Sequence, residues 1–226
     1  MVTQQFDGLI FDLDGTLADT LPVCFGAYRL AFAKYVDREW SDGELSELFG
    51  PSDEGVIRRV VPTRVEECLA DYLTYYEQCH EECPSPFAGI DALLARLRGA
   101  KRPLALVTGK GRRSTCISLR RLGLAHYFEQ VEVGSPAGSV KADSIRRVVA
   151  RWASAAPRVA YVADTPQDVV AARDAGVVSI AAAWADTASV AKLLTARPDA
   201  LFTSVDALSA WLTESPCARL DTEKGR

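Results

Sequence analysis

Residues 9–19 read Leu-Ile-Phe-Asp-Leu-Asp-Gly-Thr-Leu-Ala-Asp, an apolar run that ends in two carboxylates, Asp12 and Asp14. A strand buried on both faces of a parallel sheet is continuously apolar, and ligands in such sheets sit beyond the carboxyl ends of the strands. The pattern therefore places both acids at the mouth of a cleft in an α/β protein. Asp-Gly after a strand also serves as plain turn chemistry. The length of the motif and its context favour function: a nucleophile and a general acid two residues apart.

The rest of the chain has two grammars. Residues 20–37, 42–49, 53–61 and 64–82 carry helical periodicity without a strand pattern, and Pro62, Pro84 and Pro86 punctuate them. From residue 90 onward helical and extended patterns alternate: helices at 90–97, 112–122, 143–152 and 167–175, and strands at 103–108, 129–133, 159–163 and 177–182. Such alternation implies βαβ units and a parallel sheet. The expected architecture is α/β: a Rossmann-like parallel core from residues 1–18 and 87–214, an all-helical cap inserted at 19–86, and a polar tail at 215–226 read as flexible.

Composition narrows the function classes. With 226 residues, 48% of them hydrophobic, the chain can bury one sizeable core or a core plus a small accessory domain. A net charge of −4 supplies no overall basic footprint for nucleic acid. The N-terminus lacks a basic n-region with a long apolar segment, and no apolar run reaches membrane-spanning length, so the expectation is a cytoplasmic protein with no membrane partner. The six cysteines are scattered, as reduced thiols are. Cys79, His80 and Cys83 offer at most three soft ligands where structural zinc takes four, so they read as incidental to a helix end. His126 stands alone and reads as structural.

Three further segments repeat the logic of the first. Residues 103–110 form an apolar strand ending in Thr108, Gly109 and Lys110, and a hydroxyl beside the backbone N–H groups of a following helix makes an anion site. Lys141 stands at the start of the next helix. Residues 159–168 form another apolar strand ending in Asp164, with Asp168 one helical turn on, so that both acids can face one pocket.

Together these segments resemble the four motifs of the haloacid dehalogenase superfamily, in its phosphoglycolate phosphatase and β-phosphoglucomutase-like branch with a type-one helical cap. The resemblance spans roughly residues 6–212, and its specific parts are the first and fourth motifs. It departs from the family at Ala142, where Pro often follows the lysine, and at Ala163, where Gly usually precedes the acid.

The resemblance implies that Asp12 attacks phosphorus and that Asp14 protonates the leaving oxygen and later deprotonates water. It implies that Thr108, Gly109 and Lys141 bind the phosphate, with Lys110 the nearest competitor for the lysine role. Mg²⁺ would be held by Asp12, the backbone carbonyl of Asp14, and Asp164, with Asp168 and Thr16 in support. In the cap, Ser52 and Asp53 read individually as helix caps, while Arg58 and Arg59 are candidates to meet a second anionic group on the substrate. The expected partner is a small phosphorylated metabolite acted on by a monomer or homodimer. A phosphosugar mutase using the same motifs and a non-catalytic phosphate-responsive module are the alternatives.

Overall fold

The computed structural model of the chain describes residues 6–213, so the tail read at 215–226, Cys217 within it and residues 1–5 lie outside the described residues. The extended runs become six strands: β1 Gly8–Phe11, β2 Leu104–Val107, β3 Gln130–Glu132, β4 Val159–Ala163, β5 Val178–Ala182 and β6 Ala200–Phe202. They form one parallel sheet in the order β3-β2-β1-β4-β5-β6. The chain runs outward from β1 to β3 and then restarts at β4 on the other side of β1. The direction of winding thus reverses beside β1, where open α/β sheets bind ligands.

Four helices follow β1: α1 Leu21–Phe32, α2 Asp42–Glu47, α3 Asp53–Val60 and α4 Val65–Cys79. Six more alternate with or follow the later strands: α5 Ile90–Gly99, α6 Arg112–Arg121, α7 Lys141–Trp152, α8 Pro166–Ala175, α9 Val190–Ala196 and α10 Val205–Thr213. Alternation of side chains along each strand divides the core between two faces. Leu9, Phe11, Leu104, Leu106 and Val162 pack on one face with residues of α5, α6 and α10. Ile10, Val107 and Tyr161 pack on the other with Ile145 and Val148 of α7 and Ala172 of α8.

Helices α1 to α4 form an insertion before α5. Pro22 sits in the first turn of α1, where its missing N–H costs no helical bond. Cys68, Leu69, Tyr72 and Tyr76 make a buried stripe on α4 at helical spacing. Tyr72 stacks on Tyr28 of α1 with ring centroids 4.3 Å apart. A capping box between Ser41 and Glu44 starts α2. The insertion lies over the carboxyl edge of the sheet, where Ser52 N–H donates to Ser135 O at 2.8 Å beyond β3. A cavity of about 400 Å³ opens where its two connections meet the core, between Asp19 and Val23 on one side and Glu82, Pro84 and Phe87 on the other.

The expected strands and helices appear with ends shifted by a few residues. The first helix stops at Phe32 rather than at 37, and the fourth gives way at His80–Glu82 to a 3₁₀ turn. The patterns read from the sequence end at residue 182, beyond which the structure adds α9, the three-residue edge strand β6 and α10, although Val205, Leu208 and Leu212 of α10 are buried at helical spacing.

Candidate active site

Three neighbouring strands deliver three polar side chains to one edge. Asp12 follows β1, and its N–H donates to Val162 O at 2.9 Å, extending the ladder by one residue. Thr108 follows β2 and Asp164 follows β4, and all three side chains are buried. Asp12 Oδ1 accepts from Leu13 N–H at 2.8 Å, and Oδ2 accepts from Lys141 Nζ at 2.7 Å. Lys141 opens α7, and its Nζ also donates to Asp168 Oδ1 at 2.5 Å. Asp168 lies in the first turn of α8, where the Thr165 cap accepts from its N–H at 3.2 Å. Thr16 Oγ1 donates to Asp164 Oδ1 at 3.1 Å.

Gly15 makes this approach possible. Its φ is +72°, and a Cβ there would stand 2.3 Å from Asp164 Oδ2. The turn thus needs glycine both for its left-handed backbone and for room beside the acid.

Asp12, Asp164 and Asp168 each offer a carboxylate oxygen, all within 4.8 Å of one another. Burial pushes the Asp12 carboxyl up to about 7, against the pull of Lys141. Burial, followed by the charges of Asp12 and Asp168, holds Asp164 well above the ordinary carboxylate range. At Lys141 burial opposes the charge, but Asp12 and Asp168 outweigh it and keep the ammonium protonated. Three buried acids therefore crowd together with one ammonium, which bonds two of them, and a further cation would relieve their repulsion. A hard divalent cation with oxygen ligands fits that donor set. Asp168 belongs to this group by its side chain. The Asp14 carboxylate does not.

Asp14 turns the other way. Its Oδ1 accepts from Thr20 Oγ1 at 2.5 Å and lies 3.2 Å from Lys110 Nζ. Lys110 is buried, donates to Cys24 Sγ at 3.0 Å, and lies 4.5 Å from the centroid of the Tyr76 ring. The lysine that follows the second motif and the lysine of the third thus divide between the two acids of the first: Lys141 bonds Asp12 and Lys110 faces Asp14. Thr108 Oγ1 accepts from Lys110 N–H at 3.2 Å. Gly109 lies beside Lys141, whose Cε would be 3.7 Å from a Cβ at that position.

Asp53, read from the sequence as a helix cap, is a buried acceptor at the contact between insertion and core. Its Oδ1 accepts from Tyr28 at 3.2 Å and Tyr72 at 3.1 Å, and its Oδ2 accepts from Gly111 N–H at 2.9 Å and from the Ser114 hydroxyl. The sequence signal for it was slight, an acid in the first turn of a helix. Arg58 and Arg59 lie exposed toward the far end of α3, and Arg59 donates to Leu48 O at 3.3 Å. The structure does not bring them to the acids.

His80 is held between Cys83 O and Ser118 Oγ, each 3.1 Å from a ring nitrogen, so both nitrogens are engaged within the fold. His126 is exposed beside Tyr127. Among the described residues no helix is long and apolar enough to cross a membrane.

The family model for haloacid dehalogenase-like hydrolases matches residues 9–182, which include Asp12, Asp14, Thr108, Lys141, Asp164 and Asp168. A phosphoglycolate phosphatase from Synechococcus elongatus is 32% identical over 223 residues, covering 92% of each chain. A haloacid dehalogenase-like hydrolase from Streptococcus pneumoniae shares the fold with a TM-score of 0.74 at 25% identity, over 94% of this chain and 100% of that one. CbbY from Rhodobacter sphaeroides, solved with phosphate, shares it with a TM-score of 0.76 at 22% identity, over 92% of this chain and 100% of that one. With its motif acids gathered at the edge of the expected parallel sheet, the chain belongs to the haloacid dehalogenase-like hydrolase family.

Proposed function

We propose that this protein is a Mg²⁺-dependent phosphatase acting on a small phosphomonoester, phosphoglycolate-like or a sugar phosphate, through an aspartyl-phosphate. The observation that carries this reading is the divergence of two carboxylates two residues apart. Asp12 faces Lys141 at 2.7 Å within the acidic cluster, and Asp14 faces Thr20 on the other side of the turn. That divergence supports Asp12 as the group that attacks and Asp14 as the group that moves a proton.

In the first step an Asp12 carboxylate oxygen bonds to phosphorus as the ester oxygen leaves, taking a proton from Asp14. In the second, Asp14 takes a proton from water, whose oxygen bonds to phosphorus and breaks the acyl phosphate, releasing inorganic phosphate and restoring Asp12. Lys141 and the hydroxyl and N–H groups at Thr108 and Gly109 would balance the charge on the transferring oxygens. Asp12, Asp164 and the Asp14 backbone carbonyl would hold Mg²⁺, with Asp168 in support. When bound, the ion would offset repulsion between carboxylate and phosphate. The helical insertion would act as the cap that shields the site from water.

Phosphate release from a panel of phosphomonoesters, with Mg²⁺ or with EDTA, tests the reading. Release that requires both Mg²⁺ and Asp12 is expected, and Asp12→Asn should lower it to background. Turnover in Asp12→Asn protein at the wild-type rate would remove the nucleophile. Slow release that depends on a bisphosphate activator would replace the phosphatase with a mutase.

A further inference from the structure

We infer that Lys110 reads an anionic group on the leaving half of the substrate, selecting phosphate esters whose ester carbon also bears a carboxylate. The inference rests on the proposed role of Asp14 and goes beyond it by naming a residue that sets specificity.

Lys110 and Lys141 differ in what surrounds them. Lys141 lies between two carboxylates, Asp12 at 2.7 Å and Asp168 at 2.5 Å. The Lys110 ammonium has three donors to place, and its neighbours are one carboxylate oxygen at 3.2 Å, a thiol sulfur at 3.0 Å and an aromatic face at 4.5 Å. Sulfur is a weak acceptor, and the one carboxylate oxygen also accepts from Thr20. A buried ammonium with a single strong acceptor can take an anion in place of a weak neighbour.

Position supplies the rest. If Asp14 protonates the ester oxygen, the leaving group lies on the Asp14 side of the turn, between the loop after β2 and helices α1 and α4. Lys110 comes from that loop, Cys24 from α1 and Tyr76 from α4. In a 2-phosphorylated hydroxy acid the carboxyl carbon lies two bonds from the ester oxygen, about 2.4 Å away. A cation 3.2 Å from the acid that would protonate that oxygen therefore lies on the side of the turn where the carboxylate would be. A leaving group with only hydroxyls offers it no charge. Access to Lys110, whose side chain is 3% exposed, requires the insertion to move away from the core.

The test compares 2-phosphoglycolate with 2-hydroxyethyl phosphate, which replaces the carboxylate with a neutral alcohol. The readout is the ratio of the two kcat/KM values within each protein, so that a general loss of activity cancels. In wild type the ratio should favour phosphoglycolate by about 100-fold, the scale of one charge-assisted hydrogen bond in a buried site. Lys110→Met should bring it near unity, chiefly through KM for the acid, and Lys110→Arg should restore most of it. A ratio near unity in wild type, or the same ratio in wild type and Lys110→Met, would overturn the inference.

A wild-type ratio near unity overturns the inference by itself, and Lys110→Gln takes the place of Lys110→Met if that variant fails to fold. Calorimetry in Mg²⁺ with 3-phosphonopropionate and propylphosphonate, which cannot be hydrolysed, separates the two proposals. Tighter binding of the carboxylate that Lys110→Arg keeps and Lys110→Gln loses would support the Lys110 assignment even if no ester were hydrolysed. Hydrolysis of both esters with equal binding of the two phosphonates would keep the phosphatase and discard the assignment.

Discussion

At the scale of single residues, the chemistry depends on where two side chains separated by Leu13 are sent. Gly15 shapes the turn directly after them. With φ at +72° and a would-be Cβ 2.3 Å from Asp164 Oδ2, Gly15→Ala must strain the backbone and displace the acid. The left-handed conformation alone costs about 1–2 kcal/mol for a residue with a Cβ. Gly15→Ala should therefore lower the melting temperature and reduce kcat far more than stability alone accounts for, by thermal melts and phosphate release on the same protein.

His80 gives a residue-scale pH effect away from the site. Burial holds its pKa below the ordinary 6.5, so the folded chain refuses a proton that the unfolded chain accepts. Stability should be complete above about pH 6.5 and fall as the pH drops below it, because there the unfolded state binds more protons. Urea midpoints between about pH 7.5 and 5.5 should drop more in wild type than in His80→Gln.

At the scale of elements, α3 and α6 are joined through one carboxylate. Asp53 accepts from two tyrosines of the insertion and from Gly111 N–H and the Ser114 hydroxyl of the core. Asparagine at 53 keeps one acceptor oxygen and turns an NH₂ toward groups that themselves donate. Asp53→Asn should destabilise the fold by roughly 1–3 kcal/mol, the range for buried groups left unsatisfied. Amide hydrogen exchange should rise at the N-terminal ends of α3 and α6 before it rises in the sheet. Equal protection in both proteins would show that the contact does not hold the insertion down.

At the scale of the whole molecule, the acidic cluster joins the sheet edge to α8, and Mg²⁺ held there as proposed would stabilise the folded chain. Mg²⁺ should raise the melting temperature by mass action, with about 2.7 kcal/mol gained at a hundredfold excess over Kd. Asp164→Asn should lose most of that shift, and EDTA should abolish it in wild type. The sequence alone was enough for the α/β class, the helical insertion and the strand ends that carry Asp12, Thr108 and Asp164. These follow from periodicity and from acids placed where apolar runs stop, both local properties of the chain. It was not enough for β6, whose three residues show no alternation long enough to read. Nor could it assign the two lysines to their acids or give Asp53 its partners. Lys141 reaches Asp12 across 129 residues and Asp53 reaches Gly111 across 58. Such pairings exist only once the sheet order and the seating of the insertion are settled, because side-chain direction at a strand end is decided by what packs beside it.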